Sequence, residues 1–422
     1  MKYSKVLLSV MAVATFTFSG CGGGSDSTDT SGTTTGGTQG TQTGTTLSGA
    51  ITANKTLTAD KTWYLDGKVN VKSGVTLTVQ PGTTVAGKTP KSYLIVEPGA
   101  KIIAKGTKAK PIIFTSKKDA DGQSSANKVG EWGGLILTGN AYTHYGVNKY
   151  EADTSVSFGG SSHAHDSESS GDLEYVLIKH SGFEVEKDKE LNGLSLGGVG
   201  SGTTIKNVAI VGGSDDGVEI WGGTVNITGL YIYNAKDDSV DTDLGYRGTI
   251  KNVLVKQVLV DNANNHDSAG MEFGNDHNTI VTDDSNATQP TIINYTGYIK
   301  GGGISIKDDA GLKLTNVKFI SDKTKDQQLV FYRSADVVDT HAMHVNGDLC
   351  FKDTAMTLTA DAVTYSDKNS KDNSNKTALY DWVTNPGVSG LDKVHVNDDS
   401  CAGVDEASIW KGKAGSNDPL EQ

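Results

Sequence analysis

Acidic side chains recur at a fixed spacing in the middle of the chain. The pair Asp215–Asp216 is followed 22 positions later by the pair Asp237–Asp238. The predicted cation ligands are Asp215, Asp216, Asp237, Asp238, Asp241 and Asp243, with Glu219 nearby. If the two segments stack as neighbouring strands, equivalent carboxylates lie about 4.8 Å apart and repel one another. A Ca²⁺ ion, which accepts about six to eight oxygen ligands, would relieve that repulsion.

The same aspartates are equally consistent with a structural role. Asp side chains bond to the backbone of their own turn and permit tight turns. Asp308–Asp309 is a third pair of this kind. Calcium binding and turn formation therefore both remain open as interpretations of the acidic pairs.

Two short histidine motifs offer nitrogen ligands. In His163-Ala164-His165-Asp166, the two imidazoles would share one face of a strand. His341-Ala342-Met343-His344 combines imidazole with a thioether, a mixture that suits copper. Neither spacing excludes ordinary surface histidines, so capture of a metal in the cell envelope is a further hypothesis.

These side chains need a scaffold that stacks equivalent positions, and sequence repeats supply it. Ile205-Lys-Asn-Val208 recurs as Ile227-Thr-Gly-Leu230 and as Ile250-Lys-Asn-Val253, at offsets of 22 and 23. Short alternating segments separated by Gly, Asn and Asp indicate strands and turns. One such unit cannot bury its apolar side alone, whereas stacked units can. The pattern predicts an all-β protein built as a right-handed parallel β-helix solenoid.

Three glycine-rich runs carry a family resemblance. The runs are Gly133–Asn140, Asn192–Gly200 and Asp241–Gly248. They resemble a broad group of bacterial surface lipoproteins with parallel β-helix repeats, and the likeness covers residues 60 to about 260. The resemblance implies a surface location and a β-helix. It does not decide the activity.

Enzymes with this fold suggest two catalytic alternatives. β-Helix lyases pair Ca²⁺ with a basic residue, and Arg247 follows Asp241 and Asp243 closely. β-Helix hydrolases use clustered carboxylates as general acid and base, a role open to Asp237 and Asp238. A salt bridge from Arg247 to an aspartate is the simpler alternative for that residue.

Aromatic residues near the acidic turns raise the possibility of glycan binding. Tyr231 and Tyr233 share one face of a predicted strand, and Trp221 lies beside an acidic pair. A partly buried aromatic stack is the more conservative interpretation of the same pattern.

The N-terminal segment predicts export and attachment to a membrane. Lys2 and Lys5 precede an apolar stretch that is too short to span a bilayer. The stretch ends in Phe18-Ser19-Gly20-Cys21, which resembles the lipobox of bacterial lipoproteins. The resemblance implies that Cys21 carries the acyl chains that anchor the mature protein. Gly22, where Asp would favour retention elsewhere, favours the outer membrane. Residues 22–48 are almost entirely Gly, Ser, Thr and Gln, a composition typical of a flexible tether.

Charge and cysteine content narrow the remaining choices. The net charge of −12 disfavours nucleic acid and favours cations as partners. Besides Cys21 only Cys350 and Cys401 remain, and outside the cytoplasm they are expected to form a disulfide.

The predicted organisation has four parts. It comprises a signal peptide at 1–20, a lipidated tether at 21–48, a β-helix at 49–320 and a C-terminal region at 321–422. We expect the last part to form a disulfide-pinned cap over the open end of the β-helix. The favoured function is non-catalytic binding of glycans or cations on a surface-displayed shaft. A Ca²⁺-dependent polysaccharide lyase or a glycoside hydrolase is the alternative.

Overall fold

The computed structural model describes most of the chain from residue 45 onward. It covers residues 45–257 apart from Ala126 and residues 187–188, then residues 268–275, 286–300, 302–306, 310–321 and 402–416. Between residues 331 and 396 it describes the backbone of short strands. The predicted signal peptide and nearly all of the tether, including Cys21, lie outside the described residues.

The described elements are almost all strands. Those of the first part are β1 (Thr46–Ile51), β2 (Lys55–Leu57), β3 (Trp63–Val71), β4 (Thr76–Val79), β5 (Thr84–Gly87), β6 (Tyr93–Val96), β7 (Lys101–Lys105), β8 (Ile112–Ser116) and β9 (Gly134–Thr138). Insertions around β9 contain helix α1 (Lys117–Ala120), the strands β10 (Asn148–Tyr150) and β11 (Asp153–Phe158), and a 3₁₀ turn at His163–His165.

The repeating strands of the central part alternate between long and short. They are β12 (Gly171–Ser181), β13 (Leu194–Gly197), β14 (Thr204–Gly213), β15 (Val218–Trp221), β16 (Asn226–Ala235), β17 (Val240–Asp243), β18 (Thr249–Lys256), β19 (Ala269–Phe273), β20 (Thr291–Ile299), β21 (Gly302–Ile306) and β22 (Leu312–Ser321). The last strands are β23 (Phe331–Arg333), β24 (Met343–Val345), β25 (Leu349–Asp353), β26 (Thr364–Asp367), β27 (Thr377–Ala378), β28 (Val388–Ser389) and β29 (Val394–Val396).

These strands pair in parallel along three faces, which confirms the predicted parallel β-helix. The first face contains β6, β9, β13, β15, β17, β19, β21, β23 and β26. Each long strand from β12 to β22 contributes its first half to the second face and its second half to the third. Parallel pairing continues beyond residue 320, because β23, β24 and β25 pair with β21 and β22. The division of the chain at residue 320 stays a prediction.

The alternation of side chains along each strand builds the core. Val218 and Ile220 of β15, like Met271 and Phe273 of β19, are fully buried in one continuous apolar cluster. Successive side chains of a strand point to opposite faces. The residue between Val218 and Ile220 and the residue between Met271 and Phe273 therefore face outward. The outward positions of the first face are therefore where the chain can present chemistry.

In β14, β18, β20 and β22 an asparagine turns the long strand from the second face to the third. Asn207, Asn252, Asn294 and Asn316 have φ values between 51° and 59°, a left-handed conformation that Asn tolerates well. The Nδ2 of Asn294 donates to Oδ1 of Asn252 at 2.9 Å, and the Nδ2 of Asn316 donates to Oδ1 of Asn294 at 2.8 Å. These bonds hold successive coils in register at the bend.

The hairpin β10–β11 forms a separate two-stranded antiparallel sheet. Its residues Tyr150, Val156 and Phe158 are buried against the outer side of the first face. The salt bridge between Lys68 and Asp153 attaches the hairpin to an early coil. Asp153 also accepts a hydrogen bond of 2.9 Å from the hydroxyl of Tyr93.

The C-terminal segment 402–416 lies along the side of the solenoid. The sequence analysis had predicted that the C-terminal region would cover the open end instead. Its Gly403 N–H donates to Asn316 Oδ1 at 2.8 Å, whereas its Gly415 N–H reaches the carbonyl of Lys108, many coils away. Trp410 is buried between these points and meets the ring of Tyr175 edge-on at 5.4 Å. The prediction of an end cap is therefore wrong for the described part of the tail, because this segment covers an apolar strip of the third face.

The asparagine column predicts a specific loss of stability. Asn294→Ala should lower the free energy of unfolding by roughly 2–3 kcal/mol, from two lost hydrogen bonds and an unfavourable left-handed φ. Asn294→Gly should cost less, because Gly229 occupies the equivalent bend of β16 at a φ of 75°. Urea unfolding of both variants gives the comparison, and equal stability of Asn294→Ala and wild type would contradict the assigned role.

Candidate functional site

A ladder of carboxylates occupies the outward side of the first face. Glu219 of β15 pairs in register with Asp241 of β17, and Asp241 pairs with Glu272 of β19. We call these three residues the carboxylate ladder. The adjacent residues on each strand point into the core, which forces the three carboxylates to the same outer side. Asp241 and Glu272 are nonetheless buried, at 9% and 7% exposure.

The turns that lead into these strands contain a second column of acidic residues. The Asp216 N–H donates to Asn192 Oδ1 at 3.1 Å, the Asp238 N–H donates to Asp216 Oδ1 at 2.9 Å, and the Ala269 N–H donates to Asp238. One oxygen of each aspartate thus stabilises the turn of the next coil. These bonds differ from the predicted turn role, in which each aspartate bonds to the backbone of its own turn, because Asp216 and Asp238 each accept from the backbone of the following coil.

The two columns together bring ligand oxygens within reach of a single ion. Three groups have carboxylate oxygens that all lie within 4.8 Å of one another. The groups are Asp215 with Asp216 and Asp237, then Asp216 with Glu219 and Asp241, and finally Asp238 with Asp241 and Glu272. Because Asp216 and Asp241 each belong to two groups, the three groups overlap and form a continuous series along the solenoid axis.

Burial and repulsion between neighbours make four of these carboxyl groups hard to ionise. Burial raises the pKa of Asp215 to about 8, and it raises the pKa values of Asp216, Glu219 and Asp238 well above their ordinary range. The largest electrostatic contributions to these pKa shifts all come from other carboxylates. The site therefore needs protons or metal cations for charge balance.

Hydroxyl groups flank the ladder at both ends. Ser195 precedes Glu219 in the same register column and lies 3.2 Å from the hydroxyl of Tyr150. Ser305 follows Glu272 in that column and is 1% exposed. Within the described residues the Oγ of Ser305 has no hydrogen-bond partner. A buried hydroxyl beside a carboxylate is a further oxygen that could contact a bound cation.

The predicted basic residue does not join the acidic cluster. Arg247 lies over the ring of Tyr142 at 5.3 Å, and its Nη2 is 3.1 Å from His163 Nδ1 and 3.8 Å from an oxygen of Asp166. The salt bridge expected of Arg247 therefore forms with Asp166. It does not form with Asp241 or Asp243.

The first histidine motif belongs to this second, separate cluster. His163 stacks on Tyr142 with ring centroids 4.3 Å apart, and its Nδ1 is 2.9 Å from Asp166 Oδ2. The Nδ1 of His165 lies 3.5 Å from Glu168. Because the motif forms a 3₁₀ turn, its two imidazoles do not share the face of a strand. The two imidazoles therefore do not form the predicted pair of metal ligands, and each histidine instead contacts a carboxylate of its own.

The predicted aromatic binding surface is buried. Tyr231 is 2% exposed beneath the C-terminal segment, and its ring centroid lies 6.4 Å from that of Tyr233. Trp221 is 8% exposed and meets Tyr150 edge-on at 5.5 Å. The stack interpretation holds for the tyrosines, and Trp221 forms part of the contact between the hairpin and the first face.

The sequence prediction missed several acidic neighbours of the site. Glu272 lies 31 positions after Asp241, because an insertion separates β17 from β19 and breaks the 22-residue spacing. The alternation in Ala269-Gly-Met-Glu-Phe273 was the available signal for it. Glu151 and Glu190 come from loops with no sequence relation to the repeat. Asp308, Asp309, His341 and Cys401 lie outside the described residues, as do the side chains of His344 and Cys350.

Comparison with known proteins identifies the family. Residues 49–387 match the family model described as a pectate-lyase-like β-helix domain. Because the match covers well over half of the chain, this protein belongs to that family of right-handed parallel β-helix proteins. Neither the curated proteins nor the solved structures contain a match. Among the described residues there is no helix of the length and apolar character needed to cross a membrane.

The raised pKa values predict an unusual dependence of stability on pH. A carboxyl group whose pKa is higher in the folded than in the unfolded state destabilises the fold as the pH rises between those two values. For Asp215 this interval runs from 3.8 to about 8. In chelator, the free energy of unfolding should therefore fall between pH 5 and pH 8.

Replacing one carboxylate should reduce this dependence. Asp215→Asn should stabilise the metal-free protein, kept in chelator, at pH 8 by at least ~1 kcal/mol, since one pKa unit corresponds to about 1.4 kcal/mol. Asp66→Asn, which alters an exposed aspartate paired with Lys88, is the matched control and should have little effect. Denaturant unfolding at several pH values provides the measurement, and stability that rises towards pH 8 would exclude the proposed repulsion.

Proposed function

We propose that this protein is a non-catalytic, Ca²⁺-dependent binder of acidic polysaccharide. The observation that carries the proposal is the continuous series of overlapping groups of buried and half-buried carboxylates. The strongest electrostatic neighbours of Asp216 and Glu219 are themselves carboxylates. Such a cluster is costly to desolvate unless protons or cations balance it. The ladder also runs along the solenoid axis, so it could present a row of cations to a long polymer.

The ligand chemistry favours Ca²⁺ over softer metals. The ladder and the turns offer carboxylate and hydroxyl oxygens, which suit hard cations. Ca²⁺ binds oxygen at about 2.3–2.6 Å, so two oxygens on opposite sides of one ion are up to about 5 Å apart. This span accommodates the 4.8 Å limit within each group.

The polymer is inferred from the family and from the charge of the site. The pectate-lyase-like description supports a polysaccharide-related role. An acidic polysaccharide would be repelled by the bare carboxylates, whereas cations held in the ladder could complete their coordination with uronate oxygens. We therefore expect polymer binding to require the metal.

A Ca²⁺-dependent lyase is the second candidate, and the family description favours it. Glu219 and Asp238, whose pKa values are raised by burial and by neighbouring carboxylates, could also donate protons as in a hydrolase. The position of Arg247 against Tyr142, His163 and Asp166 argues against its use as a base at the ladder. For this reason the binding function is preferred.

Calorimetry with Ca²⁺ tests the proposal on the chain from residue 22, which lacks the proposed signal peptide and lipid anchor. Wild type should bind at neutral pH, and Asp241→Asn/Glu272→Gln should weaken binding at least about 10-fold because ligand charge sets affinity. Asp172→Asn, on the second face, should leave the affinity unchanged. Absence of binding at millimolar Ca²⁺ would contradict the proposed function.

A pull-down with polygalacturonate then separates the two candidates. Binding in Ca²⁺ that is lost in chelator, without any increase in ultraviolet absorbance from an unsaturated product, is the expected result. Release of unsaturated product or of new reducing ends would replace the binding function with the enzymatic one. Dextran serves as the neutral control polymer.

We further propose that the chain is exported and anchored to the outer membrane through Cys21. The signal-like segment, the lipobox-like tetrapeptide and the Gly/Ser/Thr-rich tether support this location. A disulfide between Cys350 and Cys401 is proposed on the same ground, since the compartment would be oxidising.

Intact-mass measurement of the protein from its host membrane tests both modifications. Wild type should carry a mass increase from acyl chains, and Cys21→Ser should lose both the increase and the membrane association. In the absence of reductant, an alkylating reagent should add no mass at Cys350 or Cys401, because their sulfur atoms are joined in the disulfide. A soluble, unacylated wild-type protein would contradict the anchor.

A further inference from the structure

Two of the carboxylate groups on the first face repeat one arrangement, one coil apart. In each of them, an aspartate from the turn before a strand lies close to the outward carboxylate of that strand and to the outward carboxylate of the next strand. The first group is Asp216, Glu219 and Asp241, and the second group is Asp238, Asp241 and Glu272. Within each group the carboxylate oxygens lie within 4.8 Å of one another, and Asp241 belongs to both groups.

Uncharged residues end this repeat on the side of the earlier coils. Asn192 holds the turn position there, because its Oδ1 accepts from the Asp216 N–H at 3.1 Å, just as Asp216 Oδ1 accepts from the Asp238 N–H at 2.9 Å. Ser195 holds the strand position and pairs with Glu219 in register. The coil before the first group therefore offers Asn and Ser where the next two coils offer carboxylates.

A buried hydroxyl lies on the other side of the second group. Ser305 pairs with Glu272 in register, and its neighbour Ile304 points into the core. The Ser305 side chain therefore points to the outer side of the face, which also carries Glu272. Ser305 is 1% exposed, and its Oγ has no hydrogen-bond partner within the described residues. Because leaving a buried hydroxyl unsatisfied is unfavourable, this oxygen indicates a ligand that the protein itself does not supply.

Charge and burial distinguish the two groups. Together they contain five carboxylates, which carry a formal charge of −5 when all are ionised. From that total, one divalent cation would leave −3 and two would leave −1. All three members of the second group are buried, whereas Glu219 of the first group is half-buried. A cation in the second group would be enclosed by protein, and a cation in the first group could be reached from solvent beside Glu219.

We propose that the two groups hold two divalent cations bridged by the carboxylate of Asp241, and that only the cation of the first group contacts the polysaccharide. The cation of the second group takes the Ser305 hydroxyl as a ligand and stabilises the register of β17, β19 and β21. The cation of the first group completes its coordination with uronate oxygens beside Glu219. This inference rests on the proposed function, and it assigns the binding of the polymer to one of two sites.

Native mass spectrometry and calorimetry of the chain from residue 22 measure the number and the affinities of the cations. After bound metal has been removed with chelator, wild type should bind two Ca²⁺ ions per chain at neutral pH. Asp241→Asn should weaken the binding of both ions at least about 10-fold, because it removes a charge that the two sites share. Glu219→Gln should weaken the binding of one ion by a similar factor and leave the other unchanged.

Ser305→Ala tests the second site separately. It should weaken one of the two Ca²⁺ affinities about 10-fold. Since the hydroxyl has no partner to lose, this substitution should not lower the urea midpoint of the metal-free protein. Thr242→Val is the matched control, because within the described residues the Thr242 hydroxyl is also buried without a partner, but it belongs to the core column of Ile220 and Phe273. This control should leave both Ca²⁺ affinities unchanged.

A pull-down with polygalacturonate tests the division of roles. At a Ca²⁺ concentration that saturates wild type, Ser305→Ala and Thr242→Val should capture as much polymer as wild type does. Glu219→Gln should capture at least about 10-fold less, because it weakens the cation that contacts the polymer.

The outcomes distinguish this inference from the proposed function. A single Ca²⁺ ion per wild-type chain, unchanged affinities in Ser305→Ala, or equal losses of polymer capture in Ser305→Ala and Glu219→Gln would overturn the inference and leave the proposed function standing. Failure of wild type to bind Ca²⁺ would overturn the proposed function and this inference with it.

Discussion

Parallel pairing in register is the constraint on which the rest of this structure depends. Each coil places its residues directly above those of the preceding coil, about 4.8 Å away. Equivalent positions therefore form columns of side chains along the solenoid axis. Whether a column stabilises or destabilises the fold depends on the chemical type of the side chains in it. Apolar columns make the core, and asparagine columns satisfy each other through side-chain hydrogen bonds.

The same constraint makes a carboxylate column unfavourable on its own. Glu219, Asp241 and Glu272 cannot move apart without breaking the register that holds β15, β17 and β19 together. Their repulsion is therefore a fixed property of the fold and not of flexible side chains alone. A cation or a set of protons relieves it, and the burial of the site makes either choice energetically significant.

The sequence predicted those features that repeat and missed those that do not. The recurrence of Ile205–Val208 every 22 or 23 residues was sufficient for the parallel β-helix, since only stacked coils bury such a pattern. The acidic turns Asp216 and Asp238 were recognised for the same reason. Glu272 was missed because an insertion displaces it along the chain. The path of residues 402–416 was also unpredictable, since it depends on an apolar strip assembled from many coils.

The central claim is that a divalent cation occupies the carboxylate ladder, and anomalous diffraction from crystals grown in Ca²⁺ and then exchanged into Tb³⁺ tests it most directly. The account predicts a strong anomalous peak among the carboxylates of Asp216, Glu219 and Asp241 or among those of Asp238, Asp241 and Glu272, within about 2.6 Å of the oxygens of that group. Carboxyl oxygens paired directly with one another, with no peak among them, would show that protons balance the charge and would contradict the claim.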